Sequence, residues 1–464
     1  MKKTITIAKR CLFLALAVVL TFGMFACEKK GEFSTGELEE EYEPNVTGKI
    51  KVTCRNDVYP TDSSKRAINN WVNAFKAKNS GVKIDVEYID QSLYAPQISS
   101  KTMGDVFWLD DGSVYEYAVT NESLMALDWY IEKMKIDTKD VYEGIRALGE
   151  INGHTYFVGM SCGQQTFTYN VDALTTAGVL ETGECIANDW TWQDFKDIAA
   201  KVTAYDEDGY TLIQNAAYVP LYWAPYYTPF FYAYGGRWCD TENKKINLYD
   251  EKVRLGIAEI IECLDNDWIY PQMIEMGAEK AGKFDNIKNN PITSVFAFNT
   301  AYTNLATRGK EYDTNGTTWD IATFPTFEYA ASPCGTIGFG VFSYAKNKDA
   351  AAALVLSLYT EDGQMAIHSQ EGGDVPILKK LGDQDFWHLD IEGWEDKNFA
   401  AFTANYEKYV PSHVKASVPP AIAEIIENGM IDLFSTYCQN GGQWEDKLME
   451  IQTQCNEKWE TLAK

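Results

Sequence analysis

The chain has 464 residues, 45 % of them apolar, and a formal net charge of −26. That length exceeds one ordinary core and implies two or three globular units. The acidic balance argues against nucleic acid or an anionic membrane surface as the main partner.

Lys2, Lys3, Lys9 and Arg10 precede an apolar run from Leu12 to Ala26, which meets Cys27. The run is too short to span a bilayer as a helix but suits a secretory signal. Met24-Phe25-Ala26-Cys27 resembles a bacterial lipoprotein box. Residues 1–27 are therefore read as a signal peptide ending at a lipidated Cys27, which places the protein on the extracytoplasmic face of the cell membrane; ordinary signal cleavage is the alternative. Residues 28–48 are acidic and poor in large apolar side chains, as expected of a flexible tether. Removing the leader leaves 37 basic residues against 67 acidic ones, a net −30. Eight cysteines remain (54, 162, 185, 239, 263, 334, 438 and 455) with no C-x-x-C pair. Their spacing fits no zinc pattern, and export permits either disulfides or free thiols.

The first predicted elements form a βαβαβ pattern. KIKVTCR (49–55) reads as a strand ending before Asn56 and Asp57. A helix follows with Ala67, Ile68, Trp71, Val72 and Phe75 on one stripe and Asp62 or Ser63 as its cap. KIDVEYI (83–89) and DVFWL (105–109) read as strands two and three, the third leading to Asp110 and Asp111. Such a pattern predicts a parallel sheet with helices on both faces. Ligands of these sheets bind at the carboxyl ends of the strands, which singles out Asn56, Asp57, Trp108, Asp110 and Asp111.

Residues 151–178 predict a turn at Asn152-Gly153 and two extended runs carrying Gln164 and Gln165. Thr191 and Asp194 have capping-box spacing, ahead of a stripe of Trp192, Phe195, Ile198, Ala199 and Val202. YVPLYWAPYYTPFFYAYGGRW (218–238) has ten aromatic residues among twenty-one. Its three prolines forbid a long helix or a central strand. Phe230, Phe231 and Tyr232 read as core. Trp223, Tyr226, Tyr227, Tyr234 and Trp238 offer planar platforms with polar tips. Further strands are predicted at 292–298, 319–324 and 338–345. From Ala350 the chain is mainly helical, ending in a stripe of Trp444, Leu448, Ile451, Cys455, Trp459 and Leu462. Strands in two clusters, separated by helices and returning late, imply two α/β lobes with any ligand between them.

Taken in order, these segments resemble the family 1 extracellular solute-binding proteins of bacterial ABC importers, of maltose-binding-protein-like plan. The resemblance spans about residues 49–460. It rests on KIDVEYID, DVFWLDDG, INGHTYFVGMSCGQQTFTYNVDALTTAG followed by TWQDF, WDIATFP, and GTIGFGVFSYAKNKDAAAALVLSLYTEDGQ. The chain departs from the family pattern at Gly159-Met160-Ser161, which lacks a proline that relatives often carry. The resemblance implies an α/β, two-lobed periplasmic-binding-protein-like fold, each lobe a sheet flanked by helices, with a ligand cleft and hinge between them. The expected lobes are 49–160 plus 291–345 and 161–290 plus 346–464.

It further implies capture without catalysis, with no cofactor and no metal, by a monomer. A carbohydrate is held between the lobes and delivered to the ABC permease transmembrane subunits. Sugars need aromatic faces and hydrogen-bonding rims. The expected ligand set is Asn56, Asp57, Trp108, Asp110, Asp111, Gln164, Gln165, Trp223, Tyr226, Tyr227, Asn299, Glu371 and Asp374. A polyamine, peptide or metal binder of the same fold stays open, as does a surface sensor or adhesin. A secreted glycosidase needs two facing carboxylates, and no catalytic motif accompanies the acidic residues. The four histidines (154, 368, 388 and 413) are scattered and read as structural.

Overall fold

The computed structural model describes residues 42–299, 302–368, 374–405, 409–411 and 414–462. The strands that build the site are, in chain order, β1 (Gly48–Arg55), β2 (Val82–Ile89), β3 (Val106–Asp110), β4 (Phe157–Gly159), β5 (Gly163–Gln164) and β6 (Thr166–Asn170). They continue with β7 (Leu212–Val219), β8 (Ile269–Pro271), β9 (Ser294–Asn299), β10 (Trp319–Thr323), β11 (Ser332–Gly335), β12 (Ile337–Val341) and β13 (Tyr409–Pro411).

Two five-stranded runs emerge. The first sheet has the order β2-β1-β3-β12-β4 and the second β8-β7-β9-β6-β10. Neither is purely parallel, as the sequence pattern suggested for the first. β12 runs antiparallel to both β3 and β4, and β6 runs antiparallel to β9 and β10. A third, small sheet, β13-β11-β5, joins the three segments that run between the two larger ones.

Register fixes where the sheets point. In the first, Asp110 at the end of β3 faces Ile337 at the start of β12, and Gly159 at the end of β4 faces Gly338. In the second, Thr166 at the start of β6 faces both Asn299 and Thr323 at the ends of β9 and β10. The carboxyl ends of both parallel sets therefore lie beside the crossing strands.

The expected lobe boundaries need correction. Residues 294–299 and 319–323 were assigned to the first lobe, yet β9 and β10 hydrogen-bond into the second sheet, and only β12 returns to the first. The helices α8 (Lys348–Leu356) and α9 (Glu361–His368) were assigned to the second lobe. They pack instead on β12 and on α1 (Asp62–Lys78). Trp71 of α1 donates its indole N–H to Ser357 Oγ at 2.8 Å, just before α9.

Local rules explain the elements. Thr61, rather than Asp62 or Ser63, caps α1, its hydroxyl accepting from Ser64 N–H. The expected stripe buries Ile68, Trp71, Val72 and Phe75. Thr191 and Asp194 form the predicted capping box on α2 (Trp192–Val202), and all five stripe residues are buried.

One large core lies under the second sheet, built by α2, α3 (Thr228–Ala233), α4 (Glu251–Asp265), α10 (Pro420–Asn440) and α11 (Trp444–Leu462). Phe167 stacks on Phe298 at 4.7 Å within it. At 25 cal/mol per Å2 of apolar surface, each such ring contributes about 2–3 kcal/mol. The other face of the sheet carries a smaller cluster of Leu212, Tyr270, Phe284 and Ile287. It is covered by α5 (Ala278–Lys283) and α6 (Asp285–Asn289). Among the described residues, no helix is long and apolar enough to cross a membrane. The expected lipid-bearing Cys27 and its leader lie outside the described residues. At the far end of the expected tether, Asn45 N–H donates to Asp349 at 2.7 Å.

Candidate functional site at the sheet ends

At the end of β1 the sequence reading missed a residue, Arg55. Its Nε donates to Asp57 Oδ1 at 3.0 Å, and its Nη2 donates to Asp57 Oδ2 at 2.5 Å and to Gln91 Oε1 at 2.8 Å. The guanidinium stands 5.0 Å over the Trp108 ring. Only 14 % of the Arg55 side chain is exposed, so the planar fork is held between carboxylate, amide and indole. The hydrogen bond from Arg55 keeps the Asp57 carboxyl below its usual range. The Trp108 ring is itself 3 % exposed, so it is the floor under Arg55 rather than an open face, and the first-lobe end is a fixed guanidinium platform with an exposed Asn56 at its edge.

Asp110 and Asp111 divide their roles. Asp110 is half-buried, accepts from Ser113 Oγ at 2.8 Å and lies within electrostatic reach of Arg55. Asp111 is 1 % exposed, and its N–H donates to Thr336 O at 3.0 Å. It begins a turn that packs against residues 414–416 of the second lobe.

Gln164 and Gln165 sit at the crossing. Gln164 is buried and its amide donates to Ala404 O at 3.0 Å. Gln165 N–H donates to Pro333 O, whereas its buried Oε1 has no partner among the described residues. Thr166 Oγ1, also missed by the sequence reading, is in the same position. Burying such acceptors unpaired costs about 1–3 kcal/mol each.

The aromatic stretch is mostly wall. Tyr226 is 6 % and Tyr227 1 % exposed, both inside the second core. Tyr226 meets Phe298 edge-on at 5.3 Å, and Tyr227 packs on Phe231 and Phe434. The expectation that Tyr227 is a platform is corrected: its ring is enclosed by apolar neighbours. Tyr234 donates to Glu259 at 2.5 Å, and Trp238 is core with its indole on Tyr232. Phe230, Phe231 and Tyr232 are core, as read. Trp223 alone of the ligand candidates here keeps part of its surface, resting on the core with its ring 6.0 Å from Tyr226.

Asn299 ends β9 beside Thr166, at the same end of the sheet; its side chain and all of Glu371 lie outside the described residues. Asp374 lies under the first crossing. Its carboxylate accepts from Val375 N–H at 2.9 Å, and burial pushes it up to about 6 despite that bond and one from Ser161. Asp374 N–H donates to His368 Nδ1, so the proton of the neutral ring is on Nε2, which donates to Met160 O at 2.8 Å. Burial lowers His368 to about 4, so it stays neutral at physiological pH. Among the described residues, no disulfide joins the eight cysteines from Cys54 onward. No group of three or more His, Cys, Asp or Glu side chains among the described residues is placed to hold a metal ion.

The model of bacterial extracellular solute-binding proteins matches residues 61–365. The chain belongs to that family. Solved structures of the same fold cover most of it. The sugar-binding protein MalE of Xanthomonas citri is 16 % identical, with a TM-score of 0.70 over 90 % of this chain and 98 % of that one. The ABC substrate-binding protein Lmo0181 of Listeria monocytogenes, solved with cycloalternan, is 17 % identical, with a TM-score of 0.65 over 89 % and 99 %. UgpB of Mycobacterium tuberculosis, solved with glycerophosphocholine, is 16 % identical, with a TM-score of 0.65 over 90 % and 100 %. These likenesses carry the two-lobed fold. No curated protein sequence matches the chain.

Proposed function

We propose that this solute-binding protein captures a neutral carbohydrate, an oligosaccharide, between its lobes and passes it to an ABC permease, anchored to the membrane through lipid on Cys27. The observation that carries the reading is the pairing at the sheet ends. The end of the first sheet offers the Arg55 guanidinium, held flat on the buried Trp108 indole, with Asp57 and Asp110 around it, and the second offers the Trp223 ring. Aromatic faces take the C–H faces of sugars, and the surrounding carboxylates and amides take hydroxyls. Similar folds hold cycloalternan and maltose.

Charge narrows the class. A polyamine would seek the face of Trp108, but Arg55 already occupies a cation's place over that ring. A phosphodiester would seek Arg55, but Asp57 engages two of its donor nitrogens and Asp110 adds a second negative charge nearby. A neutral polyol suffers neither conflict. The ligand set of this reading is Asn56, Asp57, Asp110, Gln165, Trp223, Asn299 and Asp374, with the buried Trp108 supporting Arg55 from beneath and Asp111 and Gln164 supporting the crossing.

Capture needs no reaction: a ligand that touches both lobes favours the arrangement in which both reach it. A thermal-shift screen of the domain from Pro44 tests the class, with mono- and oligosaccharides, polyamines, glycerophosphodiesters and metal ions as arms. A ligand at a hundred times its Kd stabilises by about 2.7 kcal/mol. A shift with oligosaccharides alone supports the reading; a shift only with polyamines, phosphodiesters or metals overturns the ligand class.

A further inference from the structure

A cavity of about 660 Å3 lies on the second lobe alone, on the sheet face opposite the large core. It falls within the usual size of small-molecule sites. Its aromatic wall is the half-buried Tyr218, with the Arg308 guanidinium 5.7 Å over one face, and the buried Tyr270, the two rings 5.4 Å apart and Phe284 packed 5.6 Å behind Tyr270. Its rim is polar: Gln272, Asp285 and Lys288. Tyr218 is the last residue but one of β7, four residues before the exposed Tyr222, and Gln272 directly follows β8. The cavity therefore lies at the same carboxyl end of the second sheet as Trp223, displaced toward its β8 edge.

We infer that this cavity is an outer subsite for the distal rings of a long oligosaccharide whose first rings occupy the site between the lobes. The inference rests on the carbohydrate reading above and extends it to ligand length. Neither phenol hydroxyl, nor the Gln272 amide, nor the Lys288 ammonium has a side-chain partner among the described residues. The two phenols stay protonated, and burial pushes Tyr218 up to about 12. Aromatic faces beside unspent donors and acceptors match what a sugar ring presents. A hydrocarbon ligand would leave those polar groups desolvated and unpaired.

The test measures affinity by calorimetry along ladders of α-glucan, β-glucan, xylan and mannan, from disaccharide to hexasaccharide. Ala281 lines the cavity from α5, so Ala281→Trp fills it without touching the inter-lobe residues, and Gln272→Ala removes a rim group while leaving the volume. The expected result is affinity that rises roughly 2- to 10-fold per added ring beyond the disaccharide. Ala281→Trp then flattens the rise with disaccharide affinity intact, and Gln272→Ala reduces it. Affinity that does not grow with length, or growth that survives both substitutions, overturns the subsite while the sugar reading stands. Binding to no ladder by the folded native protein overturns the carbohydrate reading itself.

Discussion

Replacing Asp374 by Asn probes the buried polar cluster under the first crossing. Asp374 titrates at about 6, above the ordinary carboxylate range, because burial disfavours its charged form. At pH 7.5 the folded state therefore carries an ionised carboxylate that the unfolded chain would solvate better. Each pH unit between the unfolded and folded titrations is worth about 1.36 kcal/mol, which makes the cost about 3 kcal/mol, an upper figure because the residue is partly accessible. A raised acid contributes stability below its unfolded pKa and loses it as pH climbs through 6. His368 has the opposite sense: lowered to about 4, it contributes stability above 6.5 that is lost as pH falls toward 4.

In the native protein the two trends oppose each other over pH 6 to 4. Asp374→Asn keeps an acceptor for Val375 N–H and removes one trend. The variant should be more stable by up to about 3 kcal/mol at pH 7.5, an advantage shrinking by about 1.4 kcal/mol per pH unit below pH 6. Urea titrations of both proteins at five pH values measure it. An advantage independent of pH, or a variant less stable at pH 7.5, refutes the reasoning.

Trp223→Ala should weaken oligosaccharide binding roughly tenfold or more, about 1.4 kcal/mol, with only a small fall in Tm, because the ring rests on the core rather than within it; a collapsed Tm with unchanged affinity would make Trp223 structural. Gly309→Ala, in α7 (Tyr302–Thr314), gains about 1 kcal/mol of helix propensity but sets a Cβ 2.5–2.6 Å from the Trp394 and Trp319 rings. Overpacking costs about 1–3 kcal/mol, so thermal unfolding should show a net loss; a gain would mean the indoles move freely. Thiol titration of the domain from Pro44 should find one reactive cysteine in the native state, the exposed Cys185, and eight in denaturant. Reductant should leave Tm unchanged, and a reductant-sensitive Tm would reveal a disulfide.

Much of the first lobe was legible because its strands alternate sharply with an amphipathic helix, and each ends in polar residues. Strand membership was not. KIKVTCR and SVFAFN look alike as sequence, and nothing in either says which sheet it joins; that is settled by partner strands outside either segment, such as Val82 for Gly48 and Thr166 for Asn299. The crossing strands β5 and β13, two and three residues long, carry no periodicity. The aromatic stretch misled because Tyr and Trp serve walls as readily as platforms. Tyr227 is closed in by Phe434, more than two hundred residues later. Arg55 went unread because a cation at a strand end resembles ordinary surface charge until Trp108 is placed beneath it.

The central claim is that the two sheet ends together hold a sugar. Isothermal calorimetry of the domain from Pro44 against the oligosaccharide ladders, with Asp57→Ala on the first lobe and Trp223→Ala on the second alongside, tests it most directly. The account predicts saturable binding by the native protein that either substitution alone weakens at least tenfold. Binding that only one lobe's substitution affects, or none at all by a folded native protein, would contradict it.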